Sequence, residues 1–138
     1  GHVTGIDYSP TSVEVASSTC AQEIAQGHID VSQASVDDLP FEDACFDMVT
    51  GFETIYFWPD LDAAFAELKR VLKPGGLVLI SNDDDGTNQD VANFAAAHPR
   101  MRTFTPQELE ETLTAHGFGD VVVHHKEDVG YLCAHARV

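Results

Sequence analysis

Ala34-Ser35-Val36-Asp37-Asp38-Leu39-Pro40-Phe41-Glu42-Asp43-Ala44-Cys45-Phe46-Asp47-Met48-Val49 passes from a polar turn through Leu-Pro-Phe into an apolar run that continues to Phe52. By its composition Phe46–Phe52 predicts a strand buried on both sides. Downstream, Asp60 stands as an N-cap before Leu61, Phe65, Leu68 and Leu72, which share one helical face. Lys69, Arg70 and Lys73 lie at that helix's C-terminal end, where the macrodipole favours cations. Gly75-Gly76 is expected to end the helix, and Leu77–Ser81 predicts a central parallel strand, apolar without alternation.

Upstream, His2–Asp7 predicts a short strand and Ser9-Pro10 an N-cap followed by proline at the first helical position. Val13, Ala16, Cys20 and Ile24 recur on one face of a helix that Gly27 stops, and His28–Val36 is a more polar strand. Towards the C-terminus, Gln89–His98 predicts a helix. Thr105-Pro106-Gln107-Glu108 is a capping box opening another, with Leu109, Leu113 and His116 facing inward and Gly117 terminating it. Phe118–His125 and Gly130–Val138 follow as an antiparallel strand pair. Strands alternating with helices predict one α/β domain over 1–138, with a mainly parallel sheet. No internal repeat, linker or low-complexity segment interrupts it.

At 138 residues and 43% hydrophobic, the chain can bury a core. Seven Lys+Arg against 23 Asp+Glu give a formal charge of −16. Without a basic stripe the chain lacks the phosphate contacts that supply most nucleic-acid affinity, so a nucleic-acid partner is not expected. The acidic field favours solubility first and cationic ligands second. No apolar run approaches the roughly 20 residues that span a bilayer, so no membrane partner is expected. The three cysteines (Cys20, Cys45, Cys133) form no C-x-x-C pair and predict buried or half-buried free thiols in a reducing cytoplasm.

The Leu39-Pro40-Phe41…Phe46-Asp47 segment, Gly51-Phe52-Glu53 and Leu72-Lys73-Pro74-Gly75-Gly76 together resemble class I S-adenosylmethionine (SAM) methyltransferases acting on small molecules. The resemblance implies a Rossmann-like sheet ending in an antiparallel pair, SAM as cofactor and a small-molecule methyl acceptor. In that family a first strand and helix, with a glycine-rich G-x-G-x-G loop, precede the strand ending at Asp7. The chain starts beyond them and resembles a methyltransferase domain without them. On that ground it is expected to bind SAM weakly or not at all. It is also expected to form a homodimer that satisfies the strand edges left open.

An acidic residue at the C-terminal end of a strand, just before a helix, can accept both ribose hydroxyls of a nucleotide, and Asp7 has that place. The competing reading is that Asp7 caps the helix with Ser9. The resemblance makes Asp7 the ribose acid and Tyr8 the ring packed on adenine. It places Ser35 where the family usually has an acid for the adenine amino group, a weaker acceptor here, and Val36 where a backbone N–H meets the ring edge. Phe52 and Glu53 fall beside the methionine moiety and the transferring methyl. Tyr56, Phe57 and Trp58 either wall a substrate pocket or pack the following helix.

No catalytic residue is assigned, because aligning nucleophile, methyl and sulfur supplies most of the acceleration. Glu53 and Tyr56 are the nearest candidates for a base. The Asn82-Asp83-Asp84-Asp85-Gly86 run fails as an EF-hand, since Ala92 falls where a bidentate Glu is required, and it is expected to be a solvated turn bordering the site. His124 and His125 are adjacent, so a strand points them to opposite faces, and no metal site is expected. A nicotinamide-dependent oxidoreductase could also use Asp7, but no Tyr-x-x-x-Lys is present. A cofactor-free module acting through self-association is the other alternative.

Overall fold

The computed structural model describes all residues 1–138. Strand β1 (Val3–Asp7) leads into helix α1 (Pro10–Thr19), a short α2 (Ala21–Ala25) and strand β2 (Ile29–Gln33). Strand β3 (Phe46–Phe52) is followed by a 3-10 turn (Ile55–Phe57), helix α3 (Leu61–Val71) and strand β4 (Leu72–Asn82). Helices α4 (Gln89–Ala97) and α5 (Pro106–Ala115) precede the hairpin of β5 (Gly119–Lys126) and β6 (Tyr131–Arg137).

The local signals act as chemistry requires. Ser9 accepts from the Ser12 N–H and Asp60 from the Ala63 N–H, so both helix starts have a donor satisfied by their caps. The Thr105 hydroxyl accepts from the Glu108 N–H at 3.2 Å while the Glu108 carboxylate accepts from the Thr105 N–H at 2.8 Å. Those bonds hold the Glu108 carboxyl below its usual range. Val13, Ala16, Cys20 and Ile24 do face inward, but the helix breaks at Cys20, and the face is only half-buried.

The expected single, mainly parallel sheet is corrected. Strands β1 and β2 form a separate parallel pair, and the larger sheet has the order β3-β4-β6-β5. Within it only β3–β4 is parallel, whereas β4–β6 and β5–β6 are antiparallel. The antiparallel hairpin folds back to put β6 against β4, which makes the sheet mixed. The terminal antiparallel pair is present as read.

Two further expectations give way. Helix α3 ends at Val71 and not at Gly75-Gly76, because Ala44 and Cys45 donate to the Arg70 and Val71 carbonyls and Leu72 already pairs with Phe46. Gly76 instead permits close approach: a Cβ there would stand 2.8 Å from the Lys73 carbonyl oxygen. Strand β3 is covered on one side only, since Met48 is 52% exposed and Phe52 60% exposed.

The core lies on the other face of the larger sheet. Phe65, Val71, Leu109, Leu113, Leu132 and Ala134 are fully buried there, with Val78 and Ile80 at 1%. Trp58 and Phe118 meet the Phe65 ring edge-on at 5.4 Å and 5.8 Å. Cys20 and Cys133 are half-buried free thiols, but Cys45, just before β3, is exposed. No helix is long and apolar enough to cross a membrane.

Phe65→Ala is expected to cost about 3–5 kcal/mol in chemical denaturation, since it empties a site that three rings share. Thr105→Ala removes one cap acceptor and is expected to cost about 1 kcal/mol.

Candidate functional site

Parallel strands β1 and β2, and likewise β3 and β4, bring their carboxyl ends to common edges, and the loops there carry the polar groups. Asp7 ends β1 half-buried. Its Oδ1 accepts from the Ser9 N–H at 2.8 Å, the helix-capping contact, and its other oxygen has no partner in the chain. Tyr8 is 74% exposed, and its carbonyl accepts from the Gln33 carboxamide, which ties the end of β1 to the end of β2.

Ser35 and Val36 lie just past β2, both half-buried. The Ser35 hydroxyl donates to the Asp37 carboxylate, and the Asp38 N–H to the Ser35 carbonyl. Asp37 thereby supplies a carboxylate beside the position where Ser35 replaces one. Asp37 is half-buried and Asp38 exposed.

Gly51, Phe52 and Glu53 end β3. Gly51 is tightly bordered: a Cβ would lie 3.0 Å from the Thr54 hydroxyl, which would have to shift, and in ordinary contact with the Trp58 ring at 3.5 Å. Glu53 adopts φ 55°, uncommon for a residue with a side chain, while its N–H donates to the Ser81 carbonyl at 2.9 Å. Of the aromatics that follow, Tyr56 and Trp58 are buried at 5% and 8%, and Phe57 is 49% exposed. Trp58 therefore packs the following helix, and Phe57 and Phe52 remain open to solvent.

The loop after β4 departs most from expectation. It is no solvated turn, since Asn82, Asp84 and Asp85 are 0%, 4% and 3% exposed. The Asp84 N–H donates to the Tyr56 hydroxyl at 3.2 Å, and Asp84 Oδ2 accepts from Gly86. Asp85 accepts from the Thr87 hydroxyl at 2.6 Å and from His125 Nε2 at 2.7 Å, and these bonds hold its carboxyl down at about 2. Ser81 shares a 2.8 Å hydrogen bond with the Tyr131 hydroxyl. His124 lies instead beside His135, with ring centroids 5.5 Å apart. A sequence signal for Asn82 did exist: it continues the inward parity of Val78 and Ile80.

Around Glu53 the charges are alike. Loss of solvation, then the neighbouring Asp83 carboxyl, push the Glu53 carboxyl above the usual carboxylate range. Burial, then the Asp83 and Asp85 charges beside it, push Asp84 up too. Burial and the Glu53 charge raise the Tyr56 phenol well above its usual value, so it stays a hydrogen-bonding hydroxyl and is a poor base.

The donor set fits the nucleoside half of SAM. A half-buried carboxylate with a free oxygen suits ribose hydroxyls, and the exposed Tyr8 ring beside it suits a base. Asp7 closes β1 with Tyr8 next to it, Ser35 and Val36 follow β2, and Phe52 closes β3 with Glu53 next to it.

Residues 1–80 match the family model described as a methyltransferase domain. A malonyl-[acyl-carrier protein] O-methyltransferase of Geobacter sulfurreducens is 36% identical over 111 residues, 73% of this chain and 42% of that protein. A 2-phytyl-1,4-naphtoquinone methyltransferase of Trichormus variabilis is 35% identical over 94 residues, 68% of this chain and 41% of that protein. A SAM-dependent methyltransferase of Aquifex aeolicus superposes with TM-score 0.78 at 19% identity, over 100% of this chain and 69% of that one, a likeness of fold. The chain thus spans about two-fifths of the length of these two curated relatives.

Glu53→Gln tests the like-charge cluster. A carboxyl whose pKa is raised by folding adds stability below its unfolded value of 4.5, lost as pH rises through the folded value. The variant is therefore expected to have the higher Tm at neutral pH and to converge with the parent on acidification below that value. Equal Tm differences across that range would show that Glu53 carries no such strain.

Proposed function

The chain belongs to the methyltransferase domain family, and on that premise we propose that it transfers a methyl group from SAM to a small-molecule acceptor. The observation that carries the reading is Asp7: a carboxylate at the end of β1 with one oxygen committed to Ser9 and the other free. Asp7 would hold the ribose hydroxyls, Tyr8 would stack on adenine, and Ser35 with Val36 would meet the adenine edge. Phe52 and Glu53 would border the methionine half. SAM supplies an electrophilic methyl on a cationic sulfur. What the residues contribute is alignment of the acceptor and exclusion of water, and little acid–base help is obligatory.

Backbone N–H donors of a glycine-rich loop are the family's main hold on the methionine half, and the loops at Asp7 and Glu53 carry no glycine-rich run of that kind. The 138-residue polypeptide is therefore expected to engage the adenine and ribose weakly. Saturation-transfer NMR with SAM checks this: adenine and ribose protons should receive saturation, and Asp7→Ala should abolish it. An unaffected Asp7→Ala spectrum would overturn the Asp7 assignment, and calorimetric binding of SAM tighter than micromolar would overturn the expectation of weak engagement.

A second reading rests on the strand edges. Strand β1 pairs only with β2, and β3 only with β4, so each has a row of backbone groups without a strand partner. Such edges favour pairing with a further strand, and exchange between two copies is a low-cost route to a dimer. Light scattering coupled to sizing is expected to show a dimer. A monodisperse monomer would refute self-association without touching the cofactor assignment.

A further inference from the structure

We infer that the open face of the larger sheet is a self-association surface. A second copy of this chain seats the same face on it, about a two-fold axis running along the seam between β4 and β6. The inference does not rest on the methyltransferase reading, and it uses the face of the sheet where strand exchange would use the edges.

The first observation is an apolar face without a cover. Strand alternation sends Val78, Ile80, Leu132 and Ala134 into the core with Phe65, Leu109 and Leu113. The alternate residues, Leu77 and Leu79 of β4 and Cys133 and His135 of β6, are half-buried on the other side. Beside them Met48, Phe52 and Val122 are 52%, 60% and 43% exposed. A helix seated on that side would bury residues against it, but α1, α2 and α4 have none buried, and α3 and α5 contribute theirs to the core. A sheet with one solvated face alternates apolar with polar residues. Strand β4 instead carries Leu77, Val78, Leu79 and Ile80 in succession. Contiguous open apolar surface marks a place of association.

The second observation is charge. The paired residues of this face include His124, Lys126, His135 and Arg137 but no Asp or Glu, in a chain with 23 acidic residues and a formal charge of −16. Two copies with that charge repel over most of their surface. Here they meet without opposing carboxylates.

Self-complementarity selects a second copy as the occupant. The strand order is β3-β4-β6-β5, so the two-fold axis lays β3 of one copy over β5 of the other and β4 over β6. The ladders put Phe52 level with His124, Thr50 with Val122 and Met48 with Gly119. The axis therefore sets the Phe52 ring of one copy against His124 of the other, and Thr50 against Val122. The long Met48 side chain meets Gly119, where a Cβ would find nothing within 4 Å. Each contact occurs twice. Two sheets aligned within about 30° pack face to face in this way.

Area sets the strength. Strands about 4.8 Å apart, each rising about 3.3 Å per residue, give a face of roughly 20 Å by 20 Å, about 400 Å² per copy in projection. That is at the low end for a specific complex, so the dimer is expected to come apart on dilution.

Analytical ultracentrifugation of the 138-residue chain gives the test. A reversible dimer is expected, tighter at about 0.5 M salt than at about 0.05 M, because screening relieves the repulsion between copies. Thr50 and Val122 are exposed, so Thr50→Lys and Val122→Glu leave the core intact. Each is expected to weaken the dimer about tenfold, by covering an unpaired charge. Within one chain the two positions stand about 14 Å apart, three strand spacings, too far to pair. Across the axis they face each other, so the double variant is expected to recover most of the loss. Phe52 is not substituted, since it also borders the proposed methionine site.

A monomer at concentrations up to about 1 mM overturns the inference. So does a dimer that neither single variant weakens, which gives the association to the strand edges. A double variant no tighter than the singles overturns the two-fold arrangement. Monomers that bind phosphatidylserine vesicles through this face would give it to a lipid surface, and that too overturns the inference. Contacts between the Phe52 and His124 rings of different copies, read by NMR in a mixture of labelled and unlabelled wild-type chain, need no variant. Their absence in the dimer overturns the arrangement even if a substituted chain misfolds.

Discussion

Arg70 and Glu67 fix the geometry on which the rest depends. No ladder joins the β1–β2 pair to the larger sheet, so the segment between β2 and β3 must be anchored by side chains. Both Glu67 carboxylate oxygens accept from Arg70, at 2.7 Å each, and Oε2 also accepts from the Leu39 N–H. The guanidinium donates in addition to the Leu39 and Phe41 carbonyls and to Asp43. A planar fork with five donors can satisfy two carbonyls and two carboxylates at once, which a lysine cannot. Held by Arg70, the Glu67 carboxyl stays down at about 2, so the clamp keeps its charge through ordinary acidification. Leu39, 7% exposed, plugs into the core beside it, and Phe41 meets Phe46 edge-on at 5.0 Å. The Leu-Pro-Phe segment is therefore the pin between the β1–β2 pair and the larger sheet.

Much of this was legible because the signals were local. Ser9-Pro10, Asp60 and the Thr105–Glu108 box specify helix starts through bonds between near neighbours, and the structure forms all three. Phe46–Phe52 was legible as a strand to the residue. Its burial on both faces was not, because composition reports what a strand could bury and says nothing of which layer covers it. The end of α3 was misjudged for a related reason: Gly75-Gly76 signals a stop, but the pairing of Leu72 with Phe46 across the sheet acts earlier.

At the candidate site, position was legible and environment was not. Asp7 and Phe52 close β1 and β3, Ser35 and Val36 follow β2, and Glu53 follows β3. The aspartates after β4 looked like a solvated turn because four polar residues followed by glycine usually are one. Thr87 closes on Asp85 from within the same loop, and the loop is buried because Tyr56 and His125 arrive from two other segments, at separations of 28 and 40 residues for the bonds concerned. Contacts across such distances leave no periodic trace.

The distribution of cations completes the argument. Lys69 and Arg70 sit in the last turn of α3 and Lys73 at the start of β4, where they satisfy the carbonyls of His116 and Gly117, the Leu39 and Phe41 carbonyls and Asp47. All three are therefore consumed at the amino ends of β3 and β4. At the carboxyl ends of the same strands, Glu53, Asp83 and Asp84 face one another with no lysine or arginine paired to them. A chain that merely needed negative charge for solubility could place it on any surface. Here Asp84 and Asp85 carry part of it into the buried loop after β4, where it is costly, while Glu53 and Asp83 stay exposed. Folding tolerates that cost because the surrounding bonds, Asp85 to His125 and Ser81 to Tyr131, hold the loop against its own repulsion.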